Sequence, residues 1–277
     1  MLSSAEIGKK IKALHTVEDV VSAMKAYAGV TVRKTGELVS NIREYEKSVI
    51  SVLADVLRHY GRGYTEERKM GRRVLVAFGA SVGLCGPYNE RMADAVSSVF
   101  TENDTLFVIG RRLKSSIDLR HIPYANYSDS VTGINGIQPA LQEMLSRIMN
   151  IYGKEEYYDL TFIFTYVSDN KAAISAERIL PPALDRSSPA KNPPFTYLAP
   201  EAVLEKVLEE FIYIGLYRCY LESLRSENWY RLRTMEGAFE SLKQHLSELV
   251  SLQKYIGQEE TTEEMIEILN SGMFYGG

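Results

Sequence analysis

All nine prolines of this 277-residue chain lie between Pro87 and Pro200. A proline in a helix interior costs about 3 kcal/mol, so residues 1–86 and 201–277 are free to form uninterrupted helices. Periodicity decides whether they do. From Ile7, steps of four and three pass through Ile11, Leu14, Glu18, Val21, Lys25 and Ala28, then on to Val56. Eleven of the fifteen positions on this line are apolar, which is a heptad seam. The helix is expected to start at Ser3 or Ser4, with the Ser4 side chain as cap. It is expected to end at Gly61-Arg62-Gly63. A run of about 57 residues at 1.5 Å each gives roughly 85 Å. No compact domain of this size hides such a helix, so part of it should project.

The last segment repeats the pattern. Pro200 suits a first helical turn. Leu204, Val207, Leu208, Phe211, Leu216, Leu221 and Leu224 form an early stripe. Met235, Ala238, Leu242, His245, Leu249, Leu252 and Ile256 follow strict three–four spacing. This predicts helix from Pro200 to about Ile256, resuming near Thr262. Gly29, Gly36, Gly215 and Gly237 weaken the two helices by about 0.5–1 kcal/mol each against alanine, which packing must offset. Residues 1–60 hold nine Lys+Arg against seven Asp+Glu, and residues 201–277 hold seven against fourteen. Two long helices with matching seams and opposite charge point to an antiparallel coiled coil joined through the middle. The bland alternative is two amphipathic helices on one globule.

The middle alternates strands and helices. Strands are expected at Arg73–Phe78, Thr105–Ile109, Leu160–Val167 and Ala173–Leu180. Helices are expected at Glu90–Phe100, Arg111–Leu119 and Asn135–Tyr152. Alternation of this kind predicts a Rossmann-like α/β domain with a mainly parallel sheet. Pro181–Pro200 holds six of the nine prolines and reads as a linker to the last helix. The expected domains are therefore a coiled-coil shaft from 1–62 and 200–277 and an α/β foot from 70–199.

Composition narrows the function. A net charge of −4 argues against nucleic-acid binding by bulk positive charge. Two cysteines, Cys85 and Cys219, exclude a disulfide scaffold and a four-cysteine zinc site, and suit a reducing compartment. The chain has no run of about 18 apolar residues and no secretory leader at its start, so it reads as soluble and cytoplasmic. No phosphate-loop signature is present. The four histidines, His15, His59, His121 and His245, lack metal-site spacing.

Gly79-Ala-Ser-Val-Gly83-Leu-Cys-Gly86-Pro-Tyr-Asn89 directly follows the first strand. A glycine-rich turn there could cradle a phosphate, with Gly110-Arg111-Arg112 meeting a ribose phosphate. The glycine spacing misses the dinucleotide fingerprint, and sharp turning with close packing is the preferred reading. Ser81 formally matches a nucleophile elbow, with His121 or His245 as partners. Cys85 is a reactive thiol at a helix start or, more commonly, a small buried apolar residue. Tyr213, Tyr217, Tyr220 and Trp229 sit at helical spacing and fit packing against the α/β domain. Glu259, Glu260, Glu263 and Glu264 make a solvated face or a contact for a basic partner.

Three stretches resemble the gamma subunit family of F-type rotary ATP synthases. The first is Ile11 to Ala28, where Ile11, Ala23, Met24 and Ala28 match and Asp19-Val20-Val21 replaces Lys-Ile-Thr. The second and most specific is Gly83-Leu84-Cys85-Gly86-Pro87-Tyr88-Asn89, similar to G-L-C-G-G-Y-N except at Pro87. The third joins Ser226-Glu227 and Arg231 to Met235 and Ala238, then Gln258, Thr262, Glu264, Glu267 and Ile268, with Gly257 where the family has arginine. Taken together, the departures suggest a divergent member.

The resemblance implies a noncatalytic central-stalk rotor with no cofactor or metal of its own. It would couple ion translocation through a membrane c-ring to ATP synthesis or hydrolysis elsewhere. Its partners would be three catalytic and three noncatalytic nucleotide-binding subunits, an epsilon-type stalk subunit and the c-ring. It would be a peripheral protein on the cytoplasmic face of an energy-converting membrane. Met24, Lys25, Arg231 and Met235 would lie in the coupling region, and Gln258, Thr262 and Glu264 nearer the head. Gly83, Leu84, Cys85, Gly86, Tyr88 and Asn89 form the family loop. The rival readings are an NADP-binding α/β protein with helical extensions and a noncatalytic coiled-coil scaffold.

Overall fold

The computed structural model describes residues 3–60, 72–152, 157–182 and 196–273. Helix α1 runs Ser4–Tyr60, 57 residues without a break. Its start is a capping box. The Glu6 amide donates to Ser3 Oγ at 3.3 Å, and the Ser3 amide donates to the Glu6 carboxylate at 3.1 Å. Ser3 therefore caps the helix, not Ser4, because the glutamate that completes the box lies three residues on from Ser3. The glycines expected to end α1 lie outside the described residues. All fifteen seam positions from Ile7 to Val56 are buried or half-buried, including Glu18, Lys25, Thr35 and Glu46.

The chain continues through β1 (Arg72–Phe78), α2 (Tyr88–Val99), β2 (Thr105–Ile109), α3 (Arg111–Asp118) and β3 (Asn126–Ser128). Then come α4 (Ile137–Tyr152), β4 (Tyr157–Ser168), β5 (Lys171–Leu180) and α5 (Pro200–Met273). The sheet order is β3-β2-β1-β4-β5. Three pairings are parallel, and β4–β5 is antiparallel. That hairpin turns on Asp169 and Asn170, both left-handed at φ 48° and 59°, as a two-residue turn requires. Alternate strand residues feed two cores. Val74, Val76 and Phe78 join a cluster with α1, α4 and α5. Leu75 and Ala77 join one with α2 and α3.

Helix α5 has 74 residues and does not stop at Ile256. Nothing after Pro200 forbids continuation, and a lone Gly257 costs only about 1 kcal/mol. The seam of α5 also differs from the strict spacing. Leu246 is buried while His245 is exposed, and Gln253 is half-buried while Leu252 is exposed. From Leu242 the stripe steps four and then three, through Leu246, Leu249, Gln253 and Ile256, where the expected seam stepped three and then four.

Packing divides the chain into two compact units, Met1–Tyr27 with Leu232–Gly277, and Ala28–Arg231. In the first unit the two helix segments run antiparallel. Ser4 meets Gln253 and Glu260, at 3.2 Å and 3.1 Å, and Lys25 Nζ lies 3.9 Å from Glu236. In the second unit the sheet is flanked by α2 and α3 on one face. Residues 28–60 of α1, α4 and residues 200–231 of α5 cover the other. The two long helices are antiparallel here as well. Tyr45 Oη donates to Glu210 at 2.9 Å, Arg218 Nε donates to Glu46 at 2.8 Å, and Arg43 pairs with Glu222.

Candidate functional site

The loop from Gly79 to Asn89 is built by close approach. A Cβ on Gly79 would lie 2.3 Å from that of Leu113, and one on Gly110 would lie 2.5 Å from the Gly79 carbonyl oxygen. Gly110 also has φ +105°, a conformation that favours glycine. The ends of β1 and β2 are thereby sealed against each other and against α3. The first α3 amides are taken by the same loop: Arg111 N–H donates to Ser81 Oγ at 3.3 Å and Arg112 N–H to the Ala80 carbonyl at 2.9 Å. Ser81 Oγ also accepts the Ser130 amide at 2.7 Å and donates to Asp129 at 3.2 Å. Its partners are structural, and none is a histidine.

Farther along, Leu84 and Gly86 are left-handed at φ 63° and 52°. The chain reverses there and delivers Cys85, Tyr88 and Asn89 inward while Leu84 faces out, 53% exposed. Asn89 closes the loop: its Oδ1 accepts the Ala80 amide at 2.9 Å and its Nδ2 donates to Cys85 Sγ at 3.5 Å. Pro87, the departure from the family motif, has φ −80° just before α2, an angle that proline adopts readily.

Helix α5 clamps this loop. Tyr88 Oη donates to the Ser223 carbonyl at 3.3 Å, and Arg91 Nη1 donates to Tyr230 Oη at 2.6 Å. The Tyr88 and Tyr230 rings lie 5.7 Å apart. Arg231 Nη2 donates to Glu227 at 2.5 Å and to the Gly83 carbonyl at 3.4 Å, and its Nη1 to Asn228 Oδ1 at 2.8 Å. Both ion-pair partners are buried, Arg231 at 5% and Glu227 at 4% exposure. Burial pushes the Glu227 carboxyl above its usual range, and Arg231 opposes that shift. Burial, and then the negative charge of Glu227, push the Cys85 thiol up to about 11 and raise the Tyr88 phenol. Cys85 is thus a packed, protonated side chain rather than a nucleophile.

In a doubly wound sheet a dinucleotide lies in the crevice at the carboxyl ends of the strands, where strand order reverses. Here that point falls between β1 and β4, and α5 occupies it. The Tyr220 ring packs edge-on against Phe78 at 6.1 Å, and its phenol accepts the Val131 amide at 2.5 Å. The loop glycines serve packing, and the dinucleotide reading fails because the chain itself takes the space.

The structure thus brings Gly83, Cys85, Tyr88, Asn89 and Arg231 together. Within the other unit, Met24 and Lys25 are half-buried and Met235 is buried. Lys25 Nζ also lies over the Phe239 ring at 5.6 Å. Gln258, Thr262 and Glu264 are exposed on α5. Thr262 donates back to the Gln258 carbonyl at 2.7 Å. Residues that sequence reasoning missed include the cluster of buried Arg218 with half-buried Glu46 and Glu177 and the pairing of Arg43 with Glu222. Charged residues inside the otherwise apolar Phe211–Leu224 run were the available signal.

Residues 3–273 match the family described as ATP synthase. The chain is 26% identical over 283 residues to an ATP synthase gamma chain of Geotalea uraniireducens, covering 98% of both. It is 26% identical over 290 residues to one of Bdellovibrio bacteriovorus, again covering 98% of both. Its fold is similar to a chain of the central stalk and c-ring structure of Tetrahymena thermophila mitochondrial ATP synthase. The TM-score is 0.62 at 16% identity, over 79% of this chain and 99% of that one. A chain of the Euglena gracilis mitochondrial enzyme gives a TM-score of 0.53 at 11% identity, over 88% of this chain and 94% of that one. A family match spanning nearly the whole sequence, with the Gly83–Asn89 motif folded against Arg231, places this chain in the ATP synthase family, alongside the gamma chains.

Proposed function

We propose that this chain is the noncatalytic central-stalk rotor of a rotary ATP synthase. It carries torque between an ion-driven membrane c-ring and a head of three catalytic and three noncatalytic nucleotide-binding subunits, with an epsilon-type subunit at its foot. The observation that carries the reading lies in the unit of residues 1–27 and 232–277. It is a two-helix antiparallel pair whose α5 continues past the start of α1 at Ser4. Every residue from Thr261 to Leu269 is exposed, including Met265, Ile266, Ile268 and Leu269. Exposed apolar side chains in a row mark a surface that a partner covers. A two-helix rod also presents different side chains on each face. Turned inside a ring of alike sites, it biases their open and closed states in turn, since each face interacts differently with the two states.

Within this reading the shaft comprises 1–62 and 200–277, and the foot 70–199. Met24, Lys25 and Met235 belong to the coupling region of the shaft, and Gln258, Thr262 and Glu264 to its contact with the head. Arg231, being buried, acts through the Gly83 loop as a positioning residue. The protein sits peripherally on the cytoplasmic face of the membrane. No helix among the described residues is long and apolar enough to cross it.

The test is ATP-driven ion pumping by the whole complex in vesicles. Met24→Lys places a cation in the shaft interface. It is expected to lower ions pumped per ATP hydrolysed while the complex still assembles. An unchanged ratio refutes the coupling role. Purification of the chain without nucleotide-binding subunits would instead favour the scaffold reading.

A further inference from the structure

Where α5 crosses the carboxyl ends of β1 and β2 there is a small cavity of about 10 Å³, close to the space one water needs. Phe78, Ile109 and Leu224 form its apolar lining, and Tyr220, Ser223 and Glu227 are among the polar residues around it. All three of these polar side chains are more than nine-tenths buried. Their hydrogen-bonding capacity is unequal. Ser223 Oγ is buried with no partner. The Tyr220 phenol accepts the Val131 amide, which leaves its own proton to donate. Glu227 spends one oxygen on Arg231 and keeps acceptor capacity on the other. Two hydroxyl donors and one carboxylate acceptor therefore border one space, and none of them pairs with another.

We propose that this cavity is a binding site for a single structural water. The water accepts from Ser223 Oγ and Tyr220 Oη and donates to the Glu227 carboxylate, giving it the roughly three hydrogen bonds that buried waters make. A buried hydroxyl left unmatched is costly, and so is a buried carboxylate with one partner. One molecule relieves both. It also extends the Glu227–Arg231 pair into a continuous polar joint between α5 and the strand ends. Arg231 already neutralises Glu227, so the site calls for a neutral ligand with both donors and acceptors rather than a cation.

The inference rests on the packing of residues 78–231 and is independent of the rotor reading. It is tested by a structure of the full-length protein, alone or in its complex, at a resolution that shows ordered water. A single peak is expected at hydrogen-bonding distance from both Ser223 Oγ and the Glu227 carboxylate. Density showing a dry cavity overturns the proposal. So does a peak with shorter metal-like contacts whose height depends on the monovalent salt supplied. Ser223→Ala keeps the room but removes one partner. It is expected to weaken the peak and lower Tm by about 2–4 °C. An unchanged peak together with an unchanged Tm overturns the assignment of serine as a water ligand.

Discussion

One helix, α5, lives in two environments. From Phe211 to Arg231 no residue is exposed, although Arg218, Glu222, Glu227 and Arg231 are among them. From Leu232 to Leu269 only Met235 and Leu246 are buried. Helix α1 divides likewise: Ile7 is its one buried residue between Ser3 and Tyr27, whereas eight are buried from Ala28 to Tyr60. A helix packed against sheet and neighbours on every side must pair its charges internally, and α5 does so with Glu46, Glu177, Arg43 and its own Glu227–Arg231 pair. A helix in a two-helix unit buries a single stripe and leaves the remainder exposed. The same sequence element thus stabilises a domain in one place and offers a surface in the other, and mutations should separate the two.

The largest contrast is expected at Arg231. Arg231→Ala leaves Glu227 buried and unpaired, which costs about 3–5 kcal/mol. The double change Glu227→Leu with Arg231→Met should recover most of it, since apolar replacement of a buried pair is often neutral or better. Trp229 is the only tryptophan and donates from Nε1 to Asn170 at 3.1 Å, so its fluorescence in a urea titration follows unfolding of α5 from the β4–β5 turn. A double variant as unstable as the single would mean that the clamp on Gly83, not the charge pairing, holds the joint.

Two leucines of α5 sharpen the comparison. Leu224 is 2% exposed and Leu252 is 43% exposed. Leu224→Ala is expected to cost about 2–5 kcal/mol, and Leu252→Ala to stay within about 0.5 kcal/mol. Thermal unfolding followed by circular dichroism measures both. Equal costs would contradict the difference in burial.

Glycines extend the contrast to backbone. Gly79→Ala forces a Cβ into Leu113 and should cost about 1–3 kcal/mol, as overpacking does. A Cβ at Gly29 or Gly237 meets nothing within 4 Å. Gly29→Ala and Gly237→Ala should each raise stability by about 0.5–1 kcal/mol. A loss at either helical position would indicate a conformation there that alanine resists.

Most of the architecture is legible from spacing. Helices of this length need an unbroken stripe and no proline, and both are visible in one dimension. The strands expected at Arg73–Phe78 and Thr105–Ile109 announce themselves as short, mainly apolar runs between turns. Strand β3 does not, because Asn126-Tyr127-Ser128 is too short to show alternation and becomes a strand only by pairing with β2. The seam of α5 departs from the expected spacing at His245, where Leu246 takes the buried position, because a step of four in place of three depends on the partner helix, not on local hydrophobicity. The site divides in the same way. The Gly83–Asn89 loop is recognisable as a motif. Its closure by Asn89 and its clamping by Tyr88 and Arg231 join residues up to 148 positions apart, a relation no local pattern encodes.

The last comparison concerns acid. Arg73 grips Asp104 with two hydrogen bonds, at 2.8 Å and 2.7 Å. Burial alone would raise the Asp104 carboxyl. The Arg73 bonds, with the Thr101 amide and hydroxyl at 2.7 Å and 2.9 Å, outweigh burial and hold it below its ordinary value. A carboxylate lowered on folding contributes stability that is fully present above its unfolded pKa of about 3.9. That contribution drains away as pH falls through the lower folded value. Asp104→Asn should therefore be less stable by about 1 kcal/mol near neutral pH, a modest figure because the Arg73 side chain keeps 26% exposure. The gap should close on acidification below about pH 4. Urea midpoints taken from pH 6 down to pH 3 test this, and a gap that stays constant throughout would show that ionised Asp104 adds nothing to the fold.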